Sequence, residues 1–203
     1  MTMTKKQYLN LLVNEFHSAT MATIGADGHP VTRIIDLMLW DESGVYFLTA
    51  KGKSLYTQLM EQKFIALSAT AEKRAISLRG KIKNIHSEKL EEIFERNPYM
   101  KGIYPGDTKT ALEVFCIYEA EGEYFDIRTP SRIIRDSFII GNPKHKEHGY
   151  FVQAGCIRCK LCYSVCPQKC IDITKIPVVI EQNRCLHCGR CKEVCPKQAI
   201  EKR

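Results

Sequence analysis

Two copies of one cysteine pattern constrain the fold of this 203-residue chain more than any other feature of its sequence. The first copy consists of Cys156, Cys159, Cys162 and Cys166, and the second, 29 residues further on, of Cys185, Cys188, Cys191 and Cys195. A proline follows the fourth cysteine of each copy, at Pro167 and at Pro196. A tandem duplication this regular predicts a small module built from two similar halves.

The spacing C-x2-C-x2-C-x3-C-P resembles that of bacterial ferredoxins, in which cysteine thiolates hold iron–sulfur clusters and the fourth cysteine of each copy serves the other cluster. The two predicted ligand sets are therefore Cys156, Cys159, Cys162 and Cys195, and Cys166, Cys185, Cys188 and Cys191. Zinc is the competing interpretation, but zinc sites combine two separated CxxC pairs and not this run made twice. Residues 150–203 are predicted to form a small α+β ferredoxin-like domain with two [4Fe–4S] clusters.

Two cysteines stand outside the repeat. Cys170 occupies the position of Ala199 in the other half, so we expect a small packed thiol that binds no iron. Cys116 lies alone in a predicted strand and is expected in the core. Nine of the ten cysteines fall between Cys156 and Cys195, whereas a disulfide scaffold would distribute them along the chain. Since we find neither a secretory signal nor an apolar run near the roughly 20 residues of a membrane helix, we expect a cytoplasmic protein without membrane association.

Residues 1–128 show short strands separated by turn signals, such as Gly25-Ala-Asp-Gly28 and Asp41-Glu-Ser-Gly44. Strands are predicted over residues 19–24, 30–40, 45–49, 64–70, 75–85, 112–119 and 123–128, and helices over 5–16, 54–62 and 87–96. Six or more antiparallel strands with a few peripheral helices indicate a small β-barrel. Residues 129–149 are predicted to connect the domains, and 132–140 are apolar enough to pack as a short strand or helix.

One segment of this first domain suits a phosphate group. Thr49 ends a strand, and Lys51, Lys53 and Ser54 lead into a helix whose first N–H groups favour an anion. Charged residues at a strand end are also often simply solvated, so this segment alone leaves both interpretations open.

Several segments taken together resemble the FMN-binding split-barrel family of pyridoxamine-phosphate-oxidase-like proteins. The resemblance spans about residues 11–128 and is carried, in order, by Ala19–Pro30, Thr32–Ile35, Asp41–Thr49, Lys51–Ser54, Leu78–Gly80 and Gly122–Asp126. It implies a mainly β split barrel that forms a homodimer, with FMN in clefts at the dimer interface.

The resemblance also implies cofactor contacts. It places Arg33, Lys53 and Ser54 at the FMN phosphate, with Lys51 in the same segment. It places the backbone of Ile34, Ile35 and Asp36 beside the isoalloxazine ring, and Leu48 and Thr49 along the cleft. Met38, however, stands where the family's vitamin B6 oxidases carry a substrate-contacting lysine, and their Arg- and Trp-rich carboxy-terminal segment is missing. Oxidation of vitamin B6 is therefore not expected, and an anaerobic or microaerophilic setting suits the clusters better than O2 chemistry does.

The two domains together predict an FMN-dependent oxidoreductase that passes electrons between its clusters and FMN to reduce a small organic substrate. An external low-potential donor or acceptor is expected as a partner. From Tyr150 onward, ten Lys and Arg face four Asp and Glu, which suits an acidic redox partner or an ordinary solvated surface. Nucleic acid is not expected, because no helix-turn-helix or aromatic-basic platform is present. The alternatives are a non-enzymatic flavin and iron–sulfur electron carrier, or a redox sensor. The sequence identifies neither the substrate nor a catalytic acid.

Overall fold

The computed structural model of this chain describes residues 3–129, 132–144 and 148–203. The chain forms two compact units. We call Met1–Tyr124 with Ser137–Pro143 the barrel unit, and Phe125–Asp136 with Lys144–Arg203 the cysteine-rich unit. None of the helices among the described residues has the length and apolar character needed to cross a membrane.

Seven strands form the large sheet. They are β1 (Ser18–Ile24), β2 (Pro30–Asp41), β3 (Gly44–Ala50), β4 (Phe64–Ala71), β5 (Arg74–Asn84), β6 (Leu112–Asp126) and β7 (Ile134–Ile140). The accompanying helices are α1 (Lys5–Asn10), which continues as the π-helical segment Leu11–Phe16, α2 (Ser54–Gln62), α3 (Leu90–Arg96), α4 (Met100–Ile103) and the 3-10 segment Gly106–Ala111. The strand order is β3-β2-β1-β4-β5-β6-β7, and β3 also pairs with β6. This last pairing closes six strands into an antiparallel barrel with peripheral helices, which confirms the predicted fold class.

Burial alternates along β1, β4 and β5 because successive side chains point to opposite faces of the sheet. The inward residues fill the barrel, and Leu37, Phe47, Ile76 and Phe115 are among those that are almost fully buried. The rings of Phe47 on β3 and Phe115 on β6 stack with centroids 5.6 Å apart. The closing pair of strands is therefore joined by side-chain packing as well as by backbone hydrogen bonds.

The end of the sheet differs from the prediction. Two strands were expected over 112–119 and 123–128, but β6 is continuous. Gly122 falls between the two predicted strands, yet it is part of β6, where an added Cβ would come within 2.3 Å of the Phe138 ring. The glycine thus permits a close approach of Phe138. Phe138 belongs to β7, so the sheet extends into the predicted connector; residues 130–131 and 145–147 of that connector lie outside the described residues.

The cysteine-rich unit has the expected small α+β architecture. Its elements are β8 (Tyr150–Val152), α5 (Leu161–Val165), β9 (Ile171–Asp172), β10 (Val179–Ile180), the 3-10 segment Gln182–Arg184, α6 (Arg190–Glu193) and β11 (Ile200–Lys202). β8 pairs with β11, and β9 pairs with β10. The short helices α5 and α6 occupy equivalent places in the two halves, and each contains the third cysteine of its run and ends before the fourth.

Candidate cofactor sites

The eight cysteines of the two runs line two separate cavities of the cysteine-rich unit. The first cavity contains Cys156, Cys159, Cys162 and Cys195. The second contains Cys166, Cys185, Cys188 and Cys191, together with Cys170. Each cavity therefore receives three cysteines from one run and the fourth from the other run, so the structure brings together each set of side chains that the spacing groups as ligands. Iron binding by these sets stays a prediction.

Left-handed backbone positions shape each cysteine run. Arg158 and His187 are equivalent in the two halves and have φ angles of 57° and 53°, and Lys160 and Gly189 have φ angles of 63° and 81°. Such positions turn neighbouring N–H groups toward a common side, which favours a negatively charged group there. The backbone N–H of His187 accordingly donates to Sγ of Cys185 at 3.4 Å.

The thiols of the second cavity have unequal tendencies to ionise. Hydrogen bonds from the Cys170 thiol and the His187 N–H lower the pKa of Cys185 to about 6, against the effect of burial. Burial raises the pKa of Cys191 to about 11. Because iron binds thiolates, Cys191 would ionise only when bound cations compensate the buried charge.

The donor set, four cysteines at each cavity, fits an iron–sulfur cluster. Among the described residues, no three His, Cys, Asp or Glu side chains converge closely enough to hold a single metal ion. The cysteines instead surround cavities, as a group of several atoms requires.

In the barrel unit, Arg33 on β2 lies beside α2. Its Nη1 donates to Oε1 of Gln58 at 2.8 Å, and the hydroxyl of Thr23 donates to the same oxygen at 2.7 Å. Gln58 lies one turn after Ser54, about 6 Å along the helix axis. Lys53 is the N-cap residue of α2 and makes no side-chain capping bond, and both Lys53 and Ser54 are exposed. The start of α2 therefore presents positive charge and backbone N–H groups that no side chain caps, which are suited to a phosphate.

Thr49 gives an independent indication of a ligand. Its side chain is 3% exposed, and its hydroxyl has no hydrogen-bond partner among the described residues. A buried polar group left unpaired costs about 1–3 kcal/mol, so a bound group that pairs with this hydroxyl would be stabilised. Leu48, the preceding residue of β3, is half-buried. The residues present thus fit a phosphate-bearing cofactor such as FMN.

Lys51 has a different immediate partner from the one expected. Its Nζ lies 3.0 Å from Oε1 of Glu113, a buried carboxylate that also accepts hydrogen bonds from Tyr56 at 2.7 Å and from Asn84. His86 lies 3.4 Å from the same carboxylate. Burial favours a raised pKa for Glu113, but these four partners together lower that pKa to about 2. Lys51 therefore holds a buried carboxylate, while its ammonium group remains more than half exposed.

The predicted flavin-bordering residues of β2 lie on two faces of the strand. Ile35 is buried in the core, whereas Ile34 is 67% exposed on the opposite face. The carboxylate of Asp36 accepts a hydrogen bond from the Tyr99 hydroxyl at 3.2 Å, and Nε2 of His17 lies 3.0 Å from the same hydroxyl. We call His17, Asp36 and Tyr99 the tyrosine cluster.

Tyr99 is protonated at neutral pH, because burial and the Asp36 carboxylate raise its pKa to about 12. Its hydroxyl also lies 3.6 Å from Sδ of Met38, the position where the resemblance places a lysine in vitamin B6 oxidases. A hydroxyl group that carries a proton thus lies beside Met38.

Reasoning from sequence missed Gln58, Glu113 and Tyr99. Arg33 and Gln58 are 25 residues apart, and Asp36 and Tyr99 are 63 residues apart, so no local spacing links them. Only Glu113 left a signal, as a charged residue directly before the apolar run Val114–Tyr118.

Comparisons with known proteins match the two parts of the chain to two different families. Residues 5–123 match the family model described as pyridoxamine 5′-phosphate oxidase, and residues 155–199 match the model of the 4Fe–4S dicluster domain. The first match covers more than half of the chain, and the second contains both cysteine runs.

Individual relatives are more distant. A pyridoxine/pyridoxamine 5′-phosphate oxidase of Paracidovorax citrulli (strain AAC00-1) is 28% identical over 88 residues, which are 42% of this chain and 39% of that enzyme. A NimC/NimA family protein from Clostridium acetobutylicum is similar in structure with a TM-score of 0.56 and 20% identity, over 66% of this chain and 92% of that one. A protein from the same organism related to general stress protein 26 of B. subtilis gives a TM-score of 0.52 and 18% identity, over 66% and 96%. These two structures establish the fold of the barrel.

Proposed function

We propose that this chain, which belongs to the pyridoxamine 5′-phosphate oxidase family of FMN-binding split barrels and carries a 4Fe–4S dicluster domain, is an FMN-dependent oxidoreductase. It would pass electrons between its clusters and FMN to reduce a small organic substrate. The observation that carries this proposal is the presence, in one chain, of two cavities lined by the predicted ligand sets and of a barrel in which the buried Thr49 hydroxyl has no partner among the described residues.

Clusters exchange one electron at a time, whereas bound FMN accepts two and delivers hydride. The chain's own residues would bind and orient these groups. Arg33, Lys53 and Ser54 would hold the FMN phosphate through charge-assisted hydrogen bonds and the N–H groups of α2. The Thr49 hydroxyl would donate to the same cofactor.

The tyrosine cluster would act on the substrate side. Because its pKa is about 12, Tyr99 keeps its proton at neutral pH and would serve as a donor, not as a base. His17 and Asp36 would orient the hydroxyl. Reduction of the flavin by the clusters without turnover of any substrate would favour the electron carrier over the enzyme.

A second copy of the chain would cover the outer face of β1, β2 and β4. Ile34 on β2 pairs with Thr20 on β1, and both are exposed. Ala22 on β1 and Ala66 on β4 form a cross-strand pair on the same face. Two residues further along this face, after Ala22 on β1 and before Ala66 on β4, lie Ile24 and Phe64, each 46% exposed. An exposed apolar surface of this kind favours association, and the proposed homodimer would bury it.

The cofactor part of the proposal is tested by flavin affinity. The double variant Arg33→Ala/Lys53→Ala removes two charge-assisted contacts, each worth about 1.5–3 kcal/mol or roughly 10- to 150-fold in affinity. We expect the purified wild-type protein to bind about one FMN per chain and the double variant to lose most of it, as measured by fluorescence titration. Lys73→Ala, an exposed lysine in the turn between β4 and β5, is the control and should bind normally. Equal affinity in all three proteins would show that the phosphate site lies elsewhere.

A further inference from the structure

The two cysteine cavities differ by one sulfur atom. The second cavity is lined by Cys170 in addition to its four predicted ligands. Cys170 is 2% exposed, and its Sγ lies 3.5 Å from Sγ of Cys166. It also forms a hydrogen bond with Cys185. In the first cavity the equivalent position holds Ala199, which has no side-chain donor.

We propose that Cys170 is a positioning residue of the second cavity, where its single S–H group donates to the sulfur of Cys166 or of Cys185 and raises the reduction potential of the cluster bound there. The proposal rests on the iron–sulfur part of the proposed function and is independent of FMN. Since four other cysteines already converge on this cavity, Cys170 is not needed as a ligand and keeps its hydrogen.

The direction of the effect follows from electrostatics. Adding one electron to an iron–sulfur cluster increases the negative charge on its sulfur ligands. A hydrogen-bond donor beside those sulfurs stabilises the reduced form more than the oxidised form, which raises the reduction potential. The first cavity also has a backbone donor, from the N–H of Ala199 to Sγ of Cys195 at 3.3 Å, but there a methyl group replaces the thiol. When an external reductant supplies one electron to the cysteine-rich unit, that electron resides mainly on the cluster of the second cavity.

The test compares full-length proteins purified anaerobically and titrated with dithionite, with the reduced clusters followed by electron paramagnetic resonance. Wild-type protein should give two one-electron waves. In Cys170→Ala the wave at higher potential should move to lower potential. The equilibrium constant for distributing one electron between the two clusters should change about tenfold, which corresponds to 59 mV for a one-electron couple. The iron content should stay at about eight atoms per chain.

Two further variants separate hydrogen bonding from packing. Cys170→Ser keeps a donor of similar size and should retain a wave close to that of the wild type. Ala199→Cys adds the missing thiol to the first cavity and should move the other wave to higher potential.

Three results would overturn the proposal. A loss of about half the iron in Cys170→Ala would make Cys170 a ligand. Identical waves in wild type and Cys170→Ala would show that Cys170 does not influence the reduction potential. Equal shifts in Cys170→Ser and Cys170→Ala would assign the effect to packing. A failure of the chain to bind FMN would leave all of these measurements intact, so the two proposals fail separately.

Discussion

The barrel unit and the cysteine-rich unit are stabilised by different kinds of side chain. The barrel closes around aliphatic and aromatic residues such as Leu37, Phe47 and Phe115, and the β3–β6 pairing completes its hydrogen bonding. In the cysteine-rich unit, five of the ten buried residues of the core cluster are cysteines, and four of those five are predicted ligands. The barrel core thus consists of apolar side chains, whereas the core of the cysteine-rich unit combines apolar residues with predicted ligands.

This difference has a thermodynamic consequence. Where the ligands form the core, the free energy of binding metal is also free energy of folding. Short strands of two or three residues, as in the cysteine-rich unit, add little stability of their own. We therefore expect the fold of this unit to depend on its clusters and the fold of the barrel to be independent of them.

The largest expected effect is that of removing the iron. Treatment of the full-length protein with a chelator under oxidising conditions should unfold the cysteine-rich unit, because its buried thiols lose their partners. Limited proteolysis should then cut between residues 150 and 203 while sparing the barrel. The fluorescence of Trp40, the single tryptophan of the chain and a residue of β2, should change little.

The contrast would fail in either of two ways. Resistance of residues 150–203 to proteolysis after complete loss of iron would mean that this unit folds without clusters. A simultaneous large change in Trp40 fluorescence would mean that the barrel depends on the clusters as well.

A smaller effect, confined to the barrel, is expected from Glu113→Gln. The wild-type carboxylate has a pKa of about 2 in the folded chain, below its ordinary value of 4.5, so its ionised form stabilises the fold. This stabilisation is fully present above about pH 4.5 and is lost as the pH falls toward 2. At pH 7 the variant should lose about 1.5–3 kcal/mol of unfolding free energy, and the difference from wild type should shrink below pH 4.5.

Urea unfolding followed by Trp40 fluorescence measures this difference. Glu88→Gln, which changes an exposed carboxylate, is the control and should differ from wild type by less than about 0.5 kcal/mol. A loss in Glu113→Gln that stays constant down to pH 3 would indicate that the side chain's shape matters and its charge does not.

The two units also differ in how far their sites follow from the sequence. Each predicted ligand lies in one of two short runs, and the ferredoxin-like spacing of these runs groups the side chains that line each cavity. In the barrel, Arg33 meets Gln58, and Asp36 meets Tyr99, only because distant strands and helices pack together. Such contacts leave no local pattern, which is why the polar partners of the predicted FMN residues were not foreseen.

The strands of the sheet were likewise predicted where their bounds depend on local features of the sequence. Alternating burial and turn residues predicted the bounds of β2 within one residue, because both are local properties. The continuity of β6 was not predicted, since the role of Gly122 depends on Phe138 in a later strand. A glycine looks alike in the sequence whether it makes a turn or admits a neighbouring ring.

The central claim is that the clusters supply electrons to FMN. A cut after Arg128 would be a poor test, because it removes β7 and with it Phe138, whose ring stacks on Tyr8 at 4.8 Å. Substitution of ligands in the full-length chain is cleaner. Cys159 and Cys188 are exposed and lie one in each cavity, so Cys159→Ala/Cys188→Ala should remove both clusters and leave the barrel with its flavin.

The decisive measurement is the rate at which a reduced two-cluster ferredoxin bleaches the flavin absorbance of these proteins under anaerobic conditions. The wild type and Cys170→Ala, which both retain their clusters, should be reduced, and the double cysteine variant should not, although dithionite should reduce the flavin in all three. If the double variant accepts electrons from the ferredoxin as fast as the wild type, the clusters do not feed the flavin and the account is contradicted.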